Sequence, residues 1–97
     1  MARPSPRLTR RVGQDFPPGR AEEVLAQIAV ITETLPLADA QDAERLQSSV
    51  VLAAGGDYAL FLDLLRLIQS DWCDALVAAD LAHDDWPDKL DIALGPQ

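Results

Sequence analysis

The stretch from Asp57 to Asp71, DYALFLDLLRLIQSD, constrains the fold more than any other part of the chain. It places eight large apolar side chains between two aspartates that are suited to capping a helix. At about 100° per residue, those side chains cover roughly 220° of a helix circumference. A helix with so broad an apolar face must be wrapped by others, so the stretch predicts a central, mostly buried helix.

Further helices are predicted on both sides of it, over about residues 20–34, 40–54, 72–79 and 86–94. Pro36 should end the first of these, and Gly55-Gly56 should form a tight turn between the second helix and the central one. In helix 40–54, the predicted core residues are Ala43, Leu46, Val50 and Ala53, and the opposite face carries Asp42, Arg45 and Ser49. The pattern predicts a compact, orthogonal all-α bundle of about five short helices, forming a single domain over residues 20–95.

The first 19 residues have a different composition. They contain four of the seven prolines and two of the five glycines, and residues 1–20 carry five arginines against one acid. The remaining residues carry three cations against fifteen acids. We therefore expect residues 1–19 to form a disordered basic arm on an acidic body. Its candidate nucleic-acid contacts are Arg3, Arg7, Arg10 and Arg11, although a solvated tail that binds nothing explains the same composition.

One short motif occurs twice. Residues 71–76 read DWCDAL and residues 85–90 read DWPDKL, which gives Asp-Trp-x-Asp-x-Leu at an offset of 14. In each copy the first acid can cap a helix, and Trp and Leu lie four residues apart on one face. We expect both Trp-Leu pairs to dock on the central helix, with a partner-facing Trp as the alternative.

The paired segments, together with FPPG and VVLAAGGD earlier in the chain, resemble short, acidic, uncharacterised bacterial proteins in which Asp-Trp segments recur. The resemblance covers about residues 16–94. It implies the same element boundaries and no activity. The preference for arginine over lysine, with abundant alanine and leucine, also favours a bacterial source.

No catalytic, cofactor-binding or metal-binding residues are predicted. His83 lies in an acidic loop whose spacing fits neither zinc nor calcium sites, and Cys73 is the only cysteine. Ser48 and Ser49 have no nearby histidine or glycine-rich motif. We therefore expect a protein that is not an enzyme.

The sequence favours a cytoplasmic protein-protein interaction module that binds an unknown protein or a second copy of itself. No secretory signal or membrane-spanning run is recognisable. The predicted partner surface comprises Tyr58, Leu62, Trp72 and Trp86. The alternative is a nucleic-acid-linked regulator, acting through the arginine arm or through acidic helices that imitate DNA phosphates. A small-ligand binder is a third possibility, which needs a pocket in the core.

Overall fold

Six α-helices and their short connections make up the part of the chain that the structure, a computed structural model, describes. That part is residues 4–31 and 40–95, without the side chains of residues 31, 40–42, 72 and 73. The helices are α1 (Pro6–Asp15), α2 (Pro18–Ile31), α3 (Ala40–Ala54), α4 (Tyr58–Ser70), α5 (Trp72–Ala78) and α6 (Trp86–Leu94). The radius of gyration, 11.8 Å, is close to the roughly 12.5 Å typical of a compact chain of this length. The predicted all-α bundle is confirmed.

Local signals explain why the boundaries from α3 onward agree with the sequence, although the Asp85 side chain, which was predicted to cap α6, makes no capping hydrogen bond. The Asp57 carboxylate accepts from the backbone N–H of Leu60 at 3.1 Å. Gly55 and Gly56 have φ of 58° and 88°, the left-handed conformation that glycine adopts at little cost. A Cβ on Gly56 would lie 2.8 Å from the carbonyl oxygen of Asp15, so this turn also allows α1 to approach closely. The predicted helix end at Pro36 lies outside the described residues.

The prediction that residues 1–19 are disordered is wrong for residues 6–15, which form α1, and for residues 18 and 19, which begin α2. Pro6 occupies the first turn, where its missing N–H is not needed, and the Ser5 side chain accepts from the N–H of Leu8. Leu8 and Val12 lie four residues apart on one face and are fully buried. The proline that suggested disorder therefore begins a helix, which is held by burial of its apolar face. Residues 1–3 lie outside the described part.

Helix α3 has the most neighbours in the bundle. Among the described residues it contacts each of the other five helices, whereas α4 contacts α2, α3 and α5. Six consecutive residues of α3, from Leu46 to Val51, are buried, so this segment is enclosed on every side. Ser49, which was predicted to lie opposite the core, is among them, and that prediction is wrong. Its hydroxyl donates to the carbonyl of Leu46 at 2.7 Å, which satisfies it without water.

Helix α4 buries a narrower stripe than its composition suggested. The stripe follows i, i+3, i+4, i+7 spacing and consists of Phe61, Leu64, Leu65 and Ile68. Tyr58, Leu62 and Leu67 are half-buried at its edges, and Leu60 is exposed. The apolar face that sequence periodicity assigned to α4 is thus partly open to solvent.

The two copies of the repeated motif both supply core leucines. Leu76 in α5 and Leu90 in α6 are buried, and Trp86 is half-buried against the core. Helix α5 packs on α4, as predicted, and also on α3, but α6 packs on α1 and α3. The prediction that both copies dock on α4 is therefore wrong for α6. The side chain of Trp72 lies outside the described residues.

Ser48 and Ser49 provide a matched pair of buried serines. In the described part of the chain, Ser48 is fully buried and its hydroxyl has no hydrogen-bond partner. We expect Ser48→Ala to raise the free energy of unfolding by about 1 kcal/mol, because it removes an unpaired buried hydroxyl and improves helix propensity. Ser49→Ala makes the same change in volume but loses a hydrogen bond, and should leave the protein less stable than Ser48→Ala does. Urea unfolding followed by circular dichroism measures both, and the reverse order would contradict this account.

Candidate functional site

Three arginines of α1 cap the C-terminal end of α6. The guanidinium of Arg11 donates to the carbonyl of Ala93 at 2.9 Å, and that of Arg10 donates to the carbonyl of Leu94 at 2.9 Å. Arg7 donates to the next carbonyl, that of Gly95, at 3.3 Å. Carbonyls at this end of a helix lack partners within the helix and carry partial negative charge. Three consecutive carbonyls thus receive three cationic donors, and α1 is fastened to α6.

Arg7 is the buried centre of a polar network, the Arg7 cluster, formed by Ser5, Arg7, Glu44 and Asp91, of which Asp91 lies at the exposed edge. Only 6% of Arg7 is exposed. Its Nε and Nη2 donate to the two carboxylate oxygens of Glu44 at 3.0 and 2.6 Å, and its Nη1 donates to Asp91 at 2.5 Å. The Ser5 hydroxyl donates to the same Glu44 carboxylate. The hydrogen bonds from Arg7 lower the pKa of Glu44, and those to Glu44 raise the pKa of Arg7.

These contacts bear on the predicted nucleic-acid arm. Arg7, Arg10 and Arg11 are brought together, but all three point into contacts with the protein itself. Arg11 also pairs with Asp15 at 3.0 Å within α1. Arg3 lies outside the described residues. In this arrangement the guanidinium of Arg7 is inaccessible to a phosphate.

The predicted partner surface belongs mainly to the edge of the core. The hydroxyl of Tyr58 donates to Glu23 at 2.8 Å, and the guanidinium of Arg20 lies 4.3 Å from the centre of the Tyr58 ring. The hydrogen bond between Tyr58 and Glu23 raises the pKa of the tyrosine and lowers that of the glutamate. Leu62 and Trp86 are half-buried against the core. These three side chains are therefore engaged within the chain. The side chain of Trp72 is not among those that the structure describes.

Two apolar side chains on the repeated helices are much more exposed than the predicted ones. Val77 on α5 is 65% exposed and Ile92 on α6 is 85% exposed. At about 100° per residue, Val77 shares its side of α5 with Asp74 and Ala78, and Ile92 shares its side of α6 with Asp88 and Asp91. We call these two sets of residues the outer faces. Sequence reasoning missed these faces because it considered only the side of each helix that carries Trp and Leu. The offset of 14 between the two copies could have indicated them, since it relates positions 74, 77 and 78 to positions 88, 91 and 92.

Positive charges in the described part of the chain are engaged within it. Besides those already named, Arg45 donates to the carbonyl of Leu81 and lies over the Trp86 ring, and Arg66 pairs with Asp63. Lys89 pairs with Asp80 at 2.6 Å, which raises the pKa of the lysine and lowers that of the aspartate.

Several acids, by contrast, have no such partner. Among the described residues, Asp74, Asp84 and Asp88 have no cationic group within 4 Å. The surface around α5, α6 and the loop between them therefore carries negative charge that no nearby cation compensates.

The described residues show neither a metal-binding cluster nor a membrane-spanning helix. Within residues 4–31 and 40–95, no group of three or more His, Cys, Asp or Glu side chains is arranged to hold a metal ion. None of the helices in those ranges has the length and apolarity required to cross a membrane.

Comparison with known proteins gives no further assignment. No protein-family model matches the chain, and no match was found among curated proteins or solved structures. The resemblance to acidic bacterial proteins with paired Asp-Trp segments accordingly stays a prediction.

The Arg7 cluster makes a prediction about stability. Arg7→Met keeps most of the buried stem but leaves Glu44 largely buried without its cation, and should lower the free energy of unfolding by about 3 kcal/mol. Arg66→Met removes an exposed ion pair with Asp63 and should change the free energy of unfolding by less than about 1 kcal/mol. Urea unfolding of both variants is the measurement. Equal losses would show that the buried cluster contributes no more than a surface ion pair.

The same cluster makes stability depend on pH. The pKa of Glu44 is lowered from its ordinary 4.5 in the folded protein, so the unfolded state takes up the proton first. The stabilisation is complete above pH 4.5 and is lost as the pH falls toward the lowered pKa. Glu44→Gln should flatten the unfolding free energy over this acid range relative to the wild type, as measured by urea unfolding at stepped pH. An unchanged slope would exclude Glu44 as the source.

Proposed function

We propose that the protein is a non-enzymatic protein-protein interaction module that acts in the cytoplasm and binds its partner through the outer faces of α5 and α6. The observation that supports this proposal most directly is the 85% exposure of Ile92 on a helix whose opposite side is buried. A single exposed apolar residue is common on protein surfaces. Here a second one, Val77, occupies the outer face of the related helix. Each of the two faces also carries an acid without a cationic partner among the described residues, Asp74 or Asp88.

The chemistry of the outer faces favours a partner with a positively charged rim around an apolar contact. Asp74 and Asp88 have no cationic partner within the described residues and would attract and orient such a surface. The exposed aliphatic side chain of each outer face, Val77 or Ile92, would then be buried against the partner, where apolar side chains contribute most. The acids supply specificity and association rate, and the aliphatic side chains supply the burial of apolar area.

A nucleic-acid-linked regulator is the second candidate, and its two forms are not equally supported. The form that imitates DNA phosphates uses the same acidic outer faces and differs only in requiring a DNA-binding protein as the partner. The form that contacts phosphates through the arginine arm would require α1 to detach, since Arg7, Arg10 and Arg11 are bound to Glu44, Asp91 and the end of α6. The acidic form is therefore the one retained.

Affinity capture from a lysate of the source organism tests the proposal. We expect a specific protein to be retained by the wild type and lost with Ile92→Ser, because the substitution removes the apolar contact from a fully accessible position. Val30→Ser is the matched control, since Val30 is 51% exposed on α2 and lies off the outer faces. Binding of the captured protein is then measured by calorimetry with and without competing duplex DNA, which separates a DNA-binding partner from any other. No specific capture, or equal loss with both variants, would contradict the proposal.

A further inference from the structure

We propose that α1 can be exchanged between two copies of the chain, so that α1 of each copy docks on the body of the other. The surface that accepts α1 is formed by α2, α3 and α6, and we call it the α1 slot. Leu8 and Val12 are fully buried in the slot, and the arginines of α1 are bound at its polar end. This inference goes beyond the proposed function, because it concerns a different surface and names a second copy as the occupant.

The contacts that hold α1 join residues that are far apart in the sequence. Arg7 and Glu44 are separated by 37 positions, and Arg7 and Asp91 by 84. The hydrogen bond from Arg10 to the carbonyl of Leu94 also spans 84 positions. None of these contacts depends on α1 belonging to the same chain as the slot. A second copy therefore offers α1 the same partners at the same distances.

The connection between α1 and α2 is suited to such an exchange. Only Phe16 and Pro17 separate the two helices, and the backbone of Phe16 is extended, with φ of −123° and ψ of 147°. Pro17 disfavours helical geometry at Phe16, so α1 and α2 cannot merge into one continuous helix. Phe16 is itself buried, packs edge-to-face on Phe61 and donates its backbone N–H to the carbonyl of Val12 at the end of α1, so it belongs to the exchanged segment. The change of direction then falls at Pro17, and no helix has to break. Exchange of an identical element between protomers through a short hinge is a general route to dimers.

Charge makes the slot selective for α1. The helix brings Arg7, Arg10 and Arg11, and the slot brings Glu44, Asp91 and the electronegative end of α6. In the closed monomer the tether keeps α1 at an effective concentration of about millimolar, which favours docking within the same chain. Exchange should therefore dominate only near such concentrations, or when docking within the chain is made unfavourable.

Charge reversal at the centre of the Arg7 cluster provides the test, with full-length protein throughout. Arg7→Glu places like charges in contact within one chain, and Glu44→Arg does so in the other. In an exchanged dimer of the two variants, the unchanged Arg7 of one chain meets the unchanged Glu44 of the other. The two reversed charges then also meet each other. The double variant Arg7→Glu/Glu44→Arg is the control, since it restores opposite charges within one chain.

Sedimentation velocity at micromolar concentration is the measurement. We expect the equimolar mixture to contain a species of about twice the 10.5 kDa chain mass, and the wild type and the double variant to stay monomeric. If either single variant is partly unfolded alone, mixing should also restore its helical circular dichroism. A mixture that forms no dimer and regains no helicity, while the double variant is folded, overturns the proposal.

Two further arms complete the test. Wild-type protein brought to about millimolar concentration should show a rising dimer fraction, in line with the effective concentration of the tethered helix. A synthetic peptide of residues 4–16 titrated into the Arg7→Glu variant shows whether the slot accepts a helix in trans. Peptide binding without dimer formation in the variant mixture would overturn exchange, because the slot would then accept a free helix while the hinge does not deliver one from a second copy.

Discussion

The buried guanidinium of Arg7 joins the two ends of the described chain. Each of its terminal nitrogens and its Nε has an acceptor, from Glu44, Asp91 or the carbonyl of Gly95. A buried ion pair adds little net stability over apolar residues of similar size, because desolvation offsets most of the Coulombic attraction. Its effect is instead on position, since few placements of α1 satisfy all these donors at once. The arrangement of α1 against α3 and α6 depends on this cluster.

The helix boundaries from residue 40 onward could be predicted because their signals are local. Asp57 caps α4 and Asp71 caps α5 through the backbone three residues ahead, and the Gly55-Gly56 turn needs only the two glycines. Helix α1 was missed for the opposite reason. Its start signal, Ser5 followed by a proline, is local, but the helix is held by burial of Leu8 and Val12 and positioned by Glu44 and Asp91, which only the tertiary fold brings near.

The contrast between α3 and α4 shows what apolar composition does and does not predict. Composition identifies α4 as the helix with most to bury, and it does bury a full stripe. It says little about which helix is enclosed on every side. Helix α3 can be enclosed because Ser48 and Ser49 are small enough for neighbouring helices to approach. The buried side chain of Gln47 is accommodated because it donates a hydrogen bond to the carbonyl of Ile28. Small and polar residues with internal partners can therefore mark the most enclosed helix.

The uneven charge of the sequence also has a structural explanation. Arg7 of the N-terminal segment satisfies one part of the acidic body, Glu44 and Asp91, and is too deeply buried to reach a phosphate. Other acids, such as Asp74 and Asp88, point away from that contact on the outer faces of α5 and α6. Charge asymmetry in the sequence offered a basic arm as one candidate binding element, beside a solvated tail that binds nothing. Since the fold uses that arm internally, the acids it leaves unpaired, together with Val77 and Ile92, form the partner surface that we propose.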